Sequence, residues 1–346
     1  MDIVRRCLDC HLKSAEEDYD RDFLLWEGNY WDEPVHDCCQ LSLTTVHVLV
    51  DKIAIVMKKY CQEGESVLLY LPQVIQLPLS ILAAFKAGIT VIPLDSGTTD
   101  NNRLRNVILE GRPSLVITVD AYWLGQSLQK TYELLDSVLS ETSVRHTLVI
   151  RHTAPNPGVP PPEELIPARR PFYGIEWSIK EGRDVEWSEE IRQVKIEGLQ
   201  ERELVKEKNI VLLPSKDGSE LRALFELDIT TKIGKTIVPG PVFSLVHPEN
   251  EVGLLSLLSV WLSGVPLVQY EGRFDYPDSA RIAHIVRKYQ VKTLILAEAE
   301  IDPEYLGFVD TESLESVLVC EGQEKLAGKA FPGAEIATTT SYLSMQ

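Results

Sequence analysis

Apolar residues along the chain follow two alternating rhythms. Val46, Val50, Ile53, Ala54 and Met57 recur at helical spacing and predict a helix over 46–60. A turn at Gly64 follows, and then the continuous run Ser66 to Pro72, which reads as a buried strand. Residues Ile75 to Ala87 predict the next helix, with Pro78 acceptable in the first turn and Gly88 closing it. The alternation continues with a strand at Thr90 to Leu94, a helix at Arg103 to Glu110 and a strand at Ser114 to Thr118. A helix at Leu124 to Leu139 and a strand at Thr147 to Ile150 complete it.

Between Thr153 and Arg170 the prolines 155, 157, 160, 161, 162 and 167 forbid a regular element and predict a long surface loop. Beyond it the pattern resumes. Strands are predicted at Ile210 to Leu213, Val265 to Tyr270 and Lys292 to Leu296, and helices at Val252 to Leu262 and Ser279 to Tyr289. Repeated strand–helix–strand units imply an α/β fold, doubly wound, with mostly parallel sheets and helices on both faces. The expected division is a first α/β subdomain over 1–152, a connecting segment over 153–208 and a second α/β subdomain over 209–346.

At 346 residues and 44% hydrophobic content, the chain has apolar mass for one large core or two ordinary ones. The formal net charge of −18 argues against nucleic acid and anionic membrane surfaces as partners. Any phosphate site would need locally concentrated cations. The polar start MDIVRRCLDC does not read as a signal peptide, and no apolar stretch is long enough to span a bilayer. With six scattered cysteines, a reduced cytoplasmic or nuclear protein is expected.

Several segments carry a resemblance. Ala87-Gly88 followed by Val91-Ile92-Pro93-Leu94-Asp95 and by Arg103-Leu104 resembles a core segment of adenylate-forming enzymes. Cys7 to Leu12 with Leu25-Trp26-Glu27-Gly28-Asn29 resembles the entry segment of the AMP-forming acetyl-CoA synthetases. Leu115 to Ala121 resembles their "L-V-I-T-x-D-A" strand, Gly182-Arg183-Asp184 with Trp187 their "G-R-D-x-x-W" segment, and Tyr270 to Asp278 their "F-E-G-x-P-x-Y-P-D" strand and turn. The pieces keep the family's order over about residues 5 to 325. The resemblance implies the large N-terminal domain of that fold. In intact relatives it also implies a two-step reaction, in which a carboxylate attacks the ATP α-phosphate and CoA then displaces AMP.

The motifs that bind ligands depart from the family's pattern. The family places a Ser/Thr/Gly-rich phosphate loop ending in Lys-Pro-Lys-Gly after a strand. Here Ile210 to Leu213 is followed by Pro214-Ser215-Lys216-Asp217-Gly218-Ser219-Glu220-Leu221-Arg222. Ser215, Gly218, Ser219 and Arg222 keep some of the required character, but Asp217 and Glu220 put carboxylates where triphosphate should lie. In the CoA region, Gly97 answers a glycine pair, and Asp120 with Gly125 stands where the family continues into Arg-Gly-Gly-Lys. Leu124 and Ser127 replace the two cations. The acyl-pocket segment aligns with His247 to Gly253 and lacks Trp, and the adenine-facing turn aligns with Glu321 to Glu324 and lacks Pro. Residues 340–346 align with the start of the ATP and metal segment, so the C-terminal catalytic domain is expected to be absent.

Cys7, Cys10 and His11 have haem-attachment spacing, but the family's own "L-D-R-H" covers Leu8, Asp9 and His11. Zinc held with Cys38, Cys39 or His36 is chemically allowed, although scattered reduced thiols are the ordinary reading. His47, His146, His152, His247 and His284 sit singly, without a nucleophile at motif spacing. The reading that follows is a catalytically inactive, acetyl-CoA synthetase-like binding or scaffolding module. It has no cofactor or metal and has a protein partner or itself as partner. The alternative is an acyl-CoA ligase or sensor that still takes ATP with Mg, or CoA, through Lys216, Arg222 and Lys235.

Overall fold

The computed structural model describes residues 3–13, 21–32, 35–153, 179–195, 209–232, 240–274, 276, 280–296 and 311–338. Most of the proline-rich stretch, the acidic run at 16–18, Lys235 and the segment 340–346 lie outside them.

A π-helical turn, Arg5–Asp9, continues into α1, Cys10–Lys13. Strands β1 (Asp22–Asp32) and β2 (Val35–Ser42) precede α2 (Leu43–Tyr60). Then come β3 (Ser66–Leu71), α3 (Gln76–Ala87), β4 (Thr90–Asp95), α4 (Asn101–Gly111) and β5 (Leu115–Val119). A short hairpin of β6 (Tyr122–Leu124) and β7 (Ser127–Gln129) leads to α5 (Thr131–Val138) and β8 (His146–Ile150). Strand β9 (Asp184–Glu186) runs into α6 (Trp187–Gln193), and β10 (Asn209–Pro214) turns into β11 (Leu221–Phe225) and α7 (Glu226–Lys232). The remainder alternates: β12 (Val242–Ser244), α8 (Glu251–Leu262), β13 (Leu267–Tyr270), α9 (Ala280–Tyr289), β14 (Thr293–Leu296), β15 (Ser316–Val319), α10 (Glu324–Ala330) and β16 (Glu335–Thr338).

Two seven-stranded sheets result, with orders β11-β10-β4-β3-β5-β8-β9 and β16-β15-β14-β12-β13-β1-β2. In the first, every pair is parallel except β10 with β11. In the second, the pairs from β16 through to β1 are parallel. The fold is α/β, as the alternating rhythms predict. All six residues of β3 are buried, which is why Val67 to Leu71 runs without a charged or strongly polar residue. Leu68, Tyr70, Ile92, Leu94 and Val116 pack under Leu104, Val107 and Ile108 of α4 and Leu135 of α5. In the second sheet, Val268, Leu294, Val317 and Phe243 pack with Ile282, Ile285 and Val286 of α9.

The chain forms two compact units that interleave along the sequence. One holds residues 30–37 and 47–226, and the other holds 1–29, 38–46 and 227–346. The sequence reading places the division after 152 and at 209. Strand pairing explains the difference: β10 joins β4 through Val211 and Val91, while β1 joins β13, from Leu24 with Leu267 to Glu27 with Tyr270. The helix predicted over Leu124 to Leu139 begins only at Thr131. Gly125, at φ 62°, reverses the chain so that Tyr122–Leu124 pairs with Ser127–Gln129.

Candidate functional site

Strands β3, β4, β5, β8 and β10 run parallel, so the loops that follow them leave from one edge of the first sheet. In open α/β sheets this carboxyl edge is where ligands bind. The sequence candidates collect there. Gly97 follows β4, Asp120 follows β5, Gly125 turns the β6–β7 hairpin, and Ser215, Gly218 and Ser219 follow β10. Arg222 does not lie in the loop; it sits within β11, opposite Leu213, and is exposed.

Residues 215–220 form a tight turn that closes on itself. The Ser215 amide donates to the Glu220 carbonyl at 2.9 Å, and the Gly218 amide donates to the Ser215 carbonyl at 3.0 Å. The Asp217 carboxylate turns inward over the same residues. It accepts from Ser215 Oγ at 2.7 Å, from the Ser219 amide at 3.1 Å and from Ser219 Oγ at 2.8 and 2.9 Å. The Glu220 amide donates to Ser215 Oγ at 3.2 Å. The amides of Ser215, Gly218, Ser219 and Glu220 therefore all meet acceptors inside the turn. The Ser215 hydroxyl, then the Ser219 amide and hydroxyl, hold the Asp217 carboxyl down to about 2.

Helix α4 fixes this turn from below. Asp100 caps the helix by accepting from the Arg103 amide at 2.8 Å. Arg103 donates from Nε and Nη2 to the Ser215 carbonyl at 3.4 Å, and Asn106 donates to the Asp217 carbonyl at 3.0 Å. Gly218 has φ 74°, and a Cβ there would lie 2.7 Å from the Arg103 carbonyl oxygen, so only glycine suits the position. A phosphate group fits this turn poorly, because its hydrogen-bond donors already serve an anion of the chain itself.

The CoA-region residues are also engaged. Asp120 is buried, and its Oδ1 accepts from the amides of Ala121, His152 and Thr153 at 2.7, 2.9 and 3.0 Å. It fastens the end of β5 to the end of β8. At Gly97 an added Cβ would stand 2.7 Å from the Tyr122 hydroxyl and 3.4 Å from Leu124 Cδ2, so the first strand of the β6–β7 hairpin packs against one side of this half-buried glycine. Gly125 serves the hairpin turn.

Other family segments prove to be supports. Asp184, with no exposed side-chain surface, accepts from Tyr132 Oη at 2.5 Å, the Lys180 amide at 2.9 Å and Arg183 Nε at 2.6 Å. Arg183 also reaches Asp136 at 2.8 Å. Burial, and then the bond to Asp184, push the Tyr132 phenol above its ordinary range. The "G-R-D" motif thus ties β9 to α5. In the other unit, Glu27 of the "W-E-G" segment is wholly buried. It accepts from Arg281 at 2.6 Å, from Tyr289 at 2.5 Å and from Lys288. The sequence reading missed this cluster, because its partners lie more than 250 residues away.

The Cys7-x-x-Cys10-His11 spacing is absorbed by packing. The Cys7 thiol is buried against the Leu258 carbonyl, and His11 Nε2 lies 2.9 Å from the Trp261 carbonyl. Asn250 caps α8 through the Val252 amide, and His247 Nδ1 accepts from the Glu249 amide. Among the described residues no three His, Cys, Asp or Glu side chains gather to hold a metal. No helix in them is long and apolar enough to cross a membrane.

Residues 13–187 match the AMP-binding enzyme family. The acetyl-coenzyme A synthetase of Escherichia coli O157:H7 is 24% identical over 319 residues, covering 87% of this chain and 44% of that one. The chain therefore spans less than half the length of such synthetases. The uncharacterized protein ZK112.6 of Caenorhabditis elegans is 42% identical over 113 residues, covering 30% of this chain and 76% of that protein. The solved acetoacetyl-CoA synthetase from Streptomyces lividans superposes with a TM-score of 0.73 at 14% identity, covering 98% of this chain and 51% of that one. The chain belongs to the AMP-binding enzyme family. Within that family it is an acyl-CoA synthetase-like, adenylate-forming-type protein.

Proposed function

We propose that this chain is a catalytically inactive member of the family that serves as a binding or scaffolding module. The observation that carries the reading is the self-closed turn after β10, where Asp217 takes the donors that a nucleotide phosphate would need. The loss of both cations from the CoA segment points the same way. The family supports that remain intact are those that hold elements together: the Asp184 and Glu27 clusters. A chain that keeps its supports while its ligand motifs change is one in which the fold, and not turnover, is retained. On this reading its partner is another protein or a second copy of itself, and the acidic surface disfavours nucleic acid.

Carboxylate-dependent release of pyrophosphate from ATP with Mg tests the reading, with acetate and acetoacetate as substrates. The rate is expected to stay at that of buffer. Turnover above a boiled control overturns the assignment. Sedimentation over a wide concentration range tests self-association separately. A concentration-dependent shift to dimer identifies the second copy as the partner.

A further inference from the structure

We infer that Asp217 is a built-in occupant of the β10–β11 turn, and that this one side chain decides whether the turn accepts phosphate. The inference rests on the reading above but adds a cause and a residue to it. The turn still has much of what a phosphate nest requires. It follows a parallel strand at the carboxyl edge of a doubly wound sheet. Two hydroxyls, Ser215 Oγ and Ser219 Oγ, and the Ser219 amide converge on one point. Gly218 lets the turn seat closely on α4, where Arg103 and Asn106 hold it.

At the convergence point stands an oxyanion with the right charge and the right acceptor distances, 2.7 to 3.1 Å. That oxyanion belongs to the chain. Tethered two residues from each serine, it competes intramolecularly for the donors that a free ligand must reach from solution. An external phosphate faces two obstacles at once. It must displace those bonds, and it must approach a carboxylate of like sign. Of the two carboxylates in the turn, only Asp217 is turned inward onto the donors. Glu220 contributes its backbone carbonyl and amide to closing the turn.

The test compares the full chain with Asp217→Gly and Asp217→Asn, using inorganic triphosphate and ATP with Mg as probes in calorimetric titration. Circular dichroism melts confirm that each variant folds. Asp217→Gly is expected to bind triphosphate at least about tenfold more tightly than the parent. Asp217→Asn, which keeps an acceptor but loses the charge, is expected to fall between them. In the parent, amide NMR of Ser219 should titrate with a midpoint near the Asp217 value of about 2. If both variants melt cooperatively and bind no better than the parent, the inference is overturned, because the backbone turn alone then excludes phosphate. The ratio of variant to parent affinity judges the inference. The absolute affinity of the parent judges the proposed function, so the two can fail separately.

Discussion

Glu27 is wholly buried and accepts from three donors. Arg281, itself 2% exposed, depends on this carboxylate for its counter-charge. Removing one member of a buried pair leaves the other uncompensated, at a cost of about 3–5 kcal/mol. Glu27→Gln is therefore expected to lower the unfolding free energy read from urea titrations by an amount in that range. Lys59→Ala breaks an exposed pair with Glu190 and should cost less than about 1 kcal/mol. Equal effects would show that the Glu27 cluster is solvated in solution.

Histidine sets the acid side of stability. Burial, and then Arg145, lower His146; burial, and then Arg21, lower His11 against the opposing pull of the Trp261 carbonyl. Both are bases whose folded values lie below the unfolded 6.5, so the unfolded chain takes up protons first as pH falls. Their contribution is complete above 6.5 and is lost as pH drops through it toward the folded values. Urea midpoints at about pH 8 and about pH 5.5 should show the decline. His146→Gln should flatten it, and an unchanged slope in that variant would contradict the assignment. The Cys61 thiol, pushed up to about 11 mainly by burial, stays protonated throughout.

At the level of elements, helix α4 supports the turn after β10 and offers a matched pair of tests at its two ends. Asp100→Ala removes the N-cap and should cost about 1 kcal/mol. Arg112, at the C-cap, adopts φ 43°, a conformation that burdens any side chain. Arg112→Gly should raise stability by about 1 kcal/mol. Opposite signs in thermal melts would confirm the cap geometry, and a destabilising Arg112→Gly would contradict it.

Which elements were legible follows from their length and rhythm. Helices α2, α3, α4, α8 and α9 announce themselves through long apolar stripes, and β3, β4 and β5 through unbroken buried runs. Strands β6, β7 and β12, of three residues each, are too short to show a period. Leu124 and Leu128 read together with the apolar residues of α5 as one helix over 124–139. The Gly125 turn was the signal that could have separated them. Strand β1 is legible in the sequence only as a family motif, although Phe23, Leu24, Leu25 and Trp26 are all buried.

At the scale of the whole molecule, the family was readable because its motifs include the supports: Glu27, Arg183 with Asp184, and the Ala87-Gly88 helix end. The candidate site was readable as departures, such as Asp217 in the phosphate turn and Leu124 for a cation. What sequence could not give was the direction of the Asp217 carboxylate, since only the folded turn brings Ser215 and Ser219 to one point. The two interleaved units were equally hidden, because pairings such as β1 with β13 join segments more than 240 residues apart. A net charge of −18 adds to the barrier against anionic ligands, and added salt should weaken that barrier.

The most direct measurement is calorimetric titration of the purified chain with ATP and Mg, with AMP and with CoA, after a single cooperative melt has been recorded. The account predicts no saturable heat up to millimolar ligand. Saturable binding of any of the three at micromolar strength would contradict it and would place a working ligand site on this fold.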